Sequence, residues 1–267
     1  MLRHIRAAAC LLVIMLALAG MAFAGEPRLD PNVAPTSQSI ELNLDADKDS
    51  YSGSVKIQLR VLKATREFLF HGEEMTFDKV ELSGAGGAIP ATVASGGDRG
   101  TQKVTTQADL APGDYTLSIA FSKPYNTKAV GLYRTLYEGK GYFFTQFESL
   151  DARKAFPCWD EPIYKIPWQM TITIPMQQEA VFNTPVEKEL QGASTKTYVY
   201  KKTPPTSSYL IAIAAGTLES VPITDLSVPG RIYTCKGQKK LAKHAAAITP
   251  GILTALEASY LDLDGVD

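Results

Sequence analysis

At 267 residues, with 45% apolar side chains and a formal charge of −1, the chain is long enough for one large all-β domain or two smaller domains built around a real core. Its 27 basic and 28 acidic residues are interspersed rather than blocked, which excludes the electrostatic footprint a nucleic-acid partner requires.

The first stretch reads as an export signal. Arg3 and Arg6 form a positive start, Ala7 to Ala19 is an uninterrupted apolar run, and Ala22-Phe23-Ala24 before Gly25 has the small-x-small pattern of a signal-peptidase site. Cleavage between Ala24 and Gly25 removes two arginines and no acid, taking the formal charge from −1 to −3. The run is too short to span a bilayer comfortably, so a periplasmic or secreted protein without a stable membrane anchor is expected, a retained anchor being the alternative. Cys10 lies inside the run rather than at its end, which gives no indication of a lipid-attached cysteine.

After a Pro-rich leader (residues 26–36), Ile40, Leu42 and Leu44 alternate with Glu41, Asn43 and Asp45, and Val55, Ile57, Leu59 and Val61 alternate with polar residues. Period two predicts two half-buried strands forming an antiparallel pair. In the turn between them Asp45, Asp47 and Asp49 have calcium-loop spacing, but Ser50 stands where the sharp turn needs Gly and Lys56 where a bidentate Glu is needed, so a solvated hairpin turn is expected. Further strands are predicted at Glu67 to Phe70, Phe77 to Leu82, Ile89 to Val93, Gln102 to Thr105 and Tyr115 to Phe121, separated by Gly- and Pro-rich turns. Many short strands with this punctuation predict a multi-stranded antiparallel β-sandwich. His71 has no second ligand type at metal spacing and is given no role.

Residues 123–140 read as a loop leading into the densest stretch, YFFTQFESLDARKAFPCWDEP (Tyr142 to Pro162). Its aromatic and β-branched opening suits a strand, on which Gln146 and Glu148, two apart, share a face. An amide and a carboxylate backed by aromatics make either a polar rim or a recognition site for a cationic group. The bland alternative pairs Glu148 with a local base, Arg153 or Lys154. Asp160 and Glu161, adjacent on an extended backbone, point to opposite faces and are read as structural. Strands are again predicted at Trp168 to Pro175, Tyr198 to Tyr200 and Tyr209 to Ala214, the last as a core strand covered on both faces. Cys158 and Cys235 are compatible with a bridge or with two thiols, and free Cys packs as a small hydrophobe, which favours thiols. Between Lys239 and Tyr260, Leu241, Ala245, Ile248, Ile252, Ala255 and Leu256 recur at helical spacing, with Pro250-Gly251 predicting two helices or a sharp kink.

GLYRTLY (Gly131 to Tyr137), TQFESLDARKAFPCWDEP (Thr145 to Pro162) and TPPTSSYLIAIAAGTLE (Thr203 to Glu219) together resemble the N-terminal domain of the zinc aminopeptidases of the aminopeptidase N and puromycin-sensitive type. The resemblance implies a saddle-like β-sandwich over residues 25–236 and the incomplete start of a helical catalytic domain over 237–267. It also implies that Glu148, in the position of the family's TQxE carboxylate, binds the substrate's amino group, and that Gln146 lines the pocket for the first side chain. Zinc is expected in the full-length family enzyme, but the chain has only His4, His71 and His244, no H-E-x-x-H and no Gly-x-Met-Glu-Asn segment. The expectation is therefore a substrate-binding domain truncated or split before its metal site, inactive alone and binding no zinc. Its expected partners are peptide N-termini and the catalytic domain in cis or trans. A stand-alone binding or subunit module without catalysis, and a structural fragment, are the alternatives.

Overall fold

The computed structural model describes residues 28–97 and 99–261, so the proposed cleavage site at Ala24 and Gly25 lies outside the described residues. The chain divides into the units Met1–Asp30 and Pro31–Asp267, and all described secondary structure lies in the second.

The alternating segments form the strands expected of them. β1 (Val33–Asn43) and β2 (Ser50–Val61) pair antiparallel, Val33 opposite Val61 and Asn43 opposite Ser52. Around them an eight-stranded sheet assembles with β4 (Thr76–Gly84), β5 (Gly87–Ile89), β8 (Gly113–Pro124), β11 (Trp168–Pro175), β13 (Val186–Gln191) and β14 (Thr195–Tyr200), in the order β13-β14-β11-β1-β2-β8-β4-β5. β11 joins β1 in parallel, and the other pairings are antiparallel. Three smaller sheets accompany it: β3 (Thr65–His71) with β7 (Thr101–Leu110) and β6 (Ala91–Ser95); β12 (Glu179–Phe182), β15 (Ile213–Gly216), β10 (Lys140–Gln146) and β9 (Gly131–Tyr137); and the hairpin β16 (Leu218–Ile223) and β17 (Gly230–Cys235). The fold is an all-β sandwich with one C-terminal helix, α1 (Ala242–Leu261).

The core lies between the large sheet and the smaller ones. Ile40, Leu42, Val55, Ile57, Leu117, Ile119, Phe121, Trp168, Met170 and Ile172 are buried on the inner face of the large sheet. Aromatic contacts join the layers: Tyr125 stacks on Phe143 of β10 at 4.5 Å, and Phe182 of β12 meets Tyr200 of β14 at 5.3 Å. Each such ring removes a large apolar area from water and aligns the sheets that carry it. The FPCWDEP segment is a wedge in this core. Phe156 lies against Trp168, and Trp159 against Phe68 and Phe70 of β3. Its backbone is paired as well, since His71 and Cys158 exchange hydrogen bonds at 2.8 and 2.9 Å.

Three expectations are corrected. The region read as a loop over 123–140 contains β9, which returns as β10 through Glu138 and Gly139; both have positive φ, the geometry of a two-residue hairpin turn matched to strand twist. The strand expected from Tyr209 starts at Ile213, because residues 208–210 form a tight helical turn. Of the two forms expected around Pro250, two helices or one kinked helix, the first is overturned: α1 is one helix through Pro250, where proline removes one N–H and the remaining ladder carries the helix on. Both thiols, Cys158 and Cys235, are free.

Candidate functional site

β10 supplies the site. Tyr142 and Phe143 are fully buried, so the strand is anchored on both faces before it reaches the surface at Gln146, its last residue, paired with Gly131 of β9. The next residue, Phe147, turns inward with its ring edge-on to Phe156 at 5.6 Å. Asp151 N–H donates to Phe147 O at 2.9 Å and closes a tight turn that carries Glu148 and Ser149 on the outside. The Glu148–Ser149 peptide is cis. Gln146 and Glu148 are both exposed, on a strand end and the turn that follows it, and the Gln146 amide reaches Glu148 O at 3.5 Å.

The turn is held from beneath. Ala152, Ala155 and Phe156 are buried, and Tyr51 donates its hydroxyl to Ala155 O at 2.7 Å. Gly131 presses on the turn from β9: its φ is +66°, and a Cβ there would lie 3.0 Å from Lys154 Cβ, so any side chain would push the turn away. The strongest restraint is a buried ion pair. Arg153 donates to Asp160 Oδ2 from its backbone N–H at 3.1 Å and from Nε at 2.9 Å, to Asp160 O at 2.7 Å and to Arg99 O at 2.8 Å. Asp160 Oδ1 accepts from the Ser208 hydroxyl at 2.6 Å. Asp160, wholly inaccessible to water, thus ties the Glu148 turn, the wedge and the turn before β15 together.

These contacts decide the local alternative for Glu148. Arg153 is engaged by Asp160, and Lys154 reaches Asp151 at 3.1 Å and Glu73 at 3.9 Å. Among the described residues Glu148 forms no ion pair, so both nearby bases are committed elsewhere and the carboxylate stands open to an incoming cation. The structural reading of Asp160 is the arrangement seen.

His71 belongs to the same network. Its Nδ1 accepts from Asp160 N–H at 3.1 Å, so the neutral ring carries its proton on Nε2. Burial lowers its pKa to about 3, with the Arg153 charge adding to the effect. The folded value lies below the unfolded one of 6.5, so the associated stability is complete above pH 6.5 and is lost progressively as the pH falls toward 3. Between pH 7 and 5 the wild type is expected to lose about 1–2 kcal/mol from this group. His71→Asn, which keeps an acceptor in place of Nδ1, is expected to lose less between the two pH values; an equal loss in both proteins, read from the unfolding free energies in urea titrations at pH 7 and pH 5, would assign the acid sensitivity elsewhere.

Among the described residues no three His, Cys, Asp or Glu side chains gather to hold an ion; the Nδ1 of His71 is occupied, and His244 is exposed on α1. The described residues do not fit a zinc site. Sequence reasoning missed the Arg153–Asp160 lock and the acceptor role of His71; the acid and base are seven apart with no periodic pattern to mark them.

Residues 34–210 match the family model of the Peptidase M1 N-terminal domain. Aminopeptidase M1-D of Oryza sativa subsp. japonica is 31% identical over 235 residues, covering 86% of this chain and 27% of that protein. Aminopeptidase N of Acetobacter pasteurianus is 31% identical over 236 residues, covering 85% and 64%. Glutamyl aminopeptidase of Sus scrofa is 31% identical over 244 residues, covering 86% and 26%. The chain spans about a quarter of the length of the plant and mammalian relatives.

Proposed function

The chain belongs to the peptidase M1 family through its N-terminal domain, and from that premise we propose that it is the substrate-binding domain of an exported zinc aminopeptidase, the part that holds a peptide's amino terminus. Residues 25–236 form this domain, and 237–267 open the catalytic module. The zinc and the base that activates water belong to that module, and no step of hydrolysis is assigned to residues of this chain.

The observation that carries the reading is the carboxylate of Glu148, without an ion-pair partner among the described residues, fixed on a turn braced by buried contacts and set beside the Gln146 amide. A free amino terminus is an ammonium group, and a carboxylate at hydrogen-bond distance distinguishes it from an internal peptide nitrogen, which carries no charge. Exposed as it is, Glu148 attracts such a group weakly: two unit charges 4 Å apart gain about 1 kcal/mol in bulk water and about 4 kcal/mol at an effective dielectric near 20. Strong recognition therefore needs a second wall that excludes water. Gln146 and Glu148 supply one wall, and the catalytic module supplies the other, with the scissile bond between them.

The chain alone, given zinc and a chromogenic alanine amide, is expected to show no turnover. Adding the catalytic portion of a relative is expected to produce turnover that a chelator abolishes. Chelator-sensitive hydrolysis by the 267-residue chain alone would contradict the division of labour, and silence of the mixture would favour a binding module without catalysis.

A further inference from the structure

The outer face of the large sheet carries a trough of about 390 Å³ across β1, β2, β8 and β4. It lies on the far side of the core from β10, since the residues that alternate with its lining, Ile40 and Leu42 among them, are buried inward. The register explains its shape. One row across the four strands reads Ser39, Lys56, Ser118, Glu81, and the next reads Glu41, Ser54, Ala120, Lys79. Small side chains make the floor and long charged ones stand around it. Lys79 and Glu81 close on each other at 2.8 Å, which neutralises the β4 side. On the β1–β2 side Glu41 receives only the Ser54 hydroxyl, at 3.4 Å, and among the described residues neither Glu41 nor Lys56 forms an ion pair. They sit diagonally on neighbouring strands, so one negative and one positive pole face the trough about 7–8 Å apart at their origins.

We propose that this trough is a second binding site, separate from Gln146 and Glu148, and that it takes a short zwitterionic peptide of dipeptide size, with its ammonium on Glu41 and its carboxylate on Lys56. Charge complementarity selects this class. A simple anion drawn to Lys56 meets Glu41 beside it, and a simple cation drawn to Glu41 meets Lys56. A metal ion cannot bridge the two carboxylates, because β1 and β4 are three strand spacings apart, about 14 Å. Length agrees as well. An extended residue spans about 3.3–3.6 Å, so the termini of a dipeptide stand roughly 7 Å apart and reach both poles at once. Its central amide then lies over the Ser54 and Ser118 hydroxyls, each able to donate and to accept. Each charge contact is weak alone at an exposed site, so the selectivity lies in needing both.

The test titrates the full, isotope-labelled chain with alanyl-alanine at low ionic strength, where exposed charges are least screened, and follows the backbone amide shifts. Saturable shifts are expected at Ser39 to Glu41 and Ser54 to Lys56. N-acetylation of the dipeptide, which removes the ammonium, and C-terminal amidation, which removes the carboxylate, are each expected to weaken binding at least 5-fold. Glu41→Gln and Lys56→Gln keep side-chain length without the charge and are expected to do the same. The blocked dipeptides probe these contacts on the wild-type protein, so the result does not depend on the variants folding. Amides of the Gln146–Glu148 turn are read separately in the same spectra, so failure at one site leaves the other standing. The proposal is overturned if the trough amides show no saturable shift, if either blocked dipeptide binds as tightly as the zwitterion, or if either folded variant keeps wild-type affinity.

Discussion

Asp160→Ala is expected to cost about 3–5 kcal/mol, because it leaves the Arg153 guanidinium buried without its counter-charge. For a domain of this size that lowers the melting temperature by on the order of 10 °C. The loss is larger than that of a typical ion pair because neither partner has access to water: Arg153 is 4% exposed and Asp160 0%. The same substitution removes the acceptors of the Arg153 backbone N–H and the Ser208 hydroxyl, so the Glu148 turn is released along with the wedge. Asp160→Asn keeps the shape and one acceptor, and should recover part of the loss. A thermal scan of the three proteins checks this ordering; an Asp160→Ala midpoint within 2 °C of wild type would mean that the lock is dispensable.

The second large effect concerns recognition. On the proposed role of Glu148, Glu148→Ala in the protein joined to its catalytic module is expected to remove a charge-assisted hydrogen bond to the substrate's ammonium and to lower kcat/KM on a free-amino substrate by roughly 10- to 100-fold. Stability should hardly change, since Glu148 is exposed and forms no ion pair among the described residues. This separates it from Asp160, which acts on the same turn through its support. Glu148→Gln keeps the size and an acceptor but loses the charge, and should fall between wild type and alanine.

Much of the sandwich was legible because half-buried strands write their burial into the sequence. Ile40, Leu42, Val55 and Ile57 alternate in the chain and are buried in the structure. Strands without that contrast were not legible. All six residues of β13 are exposed, so VEKELQ carries no alternation; as an edge strand it is specified by its pairing with β14. β9 is short and loses its periodicity where Thr135 and Leu136 both face solvent. At the site, Gln146 and Glu148 were legible as a polar pair beside aromatics, and the resemblance supplied the role proposed for them. Their support was not legible. The Arg153–Asp160 contact, the His71–Cys158 bridge and the pressure of Gly131 on Lys154 join segments by tertiary placement, and no local pattern encodes it.

On the proposed function, Glu148 reads the charge of a free amino terminus. The direct measurement compares kcat/KM for an alanine amide with a free amino group against the same amide acetylated, in the joined protein with Glu148 and with Glu148→Ala. A strong preference for the free amino group is expected that collapses in the variant, through loss on the free substrate alone. A preference that survives the substitution unchanged would contradict it.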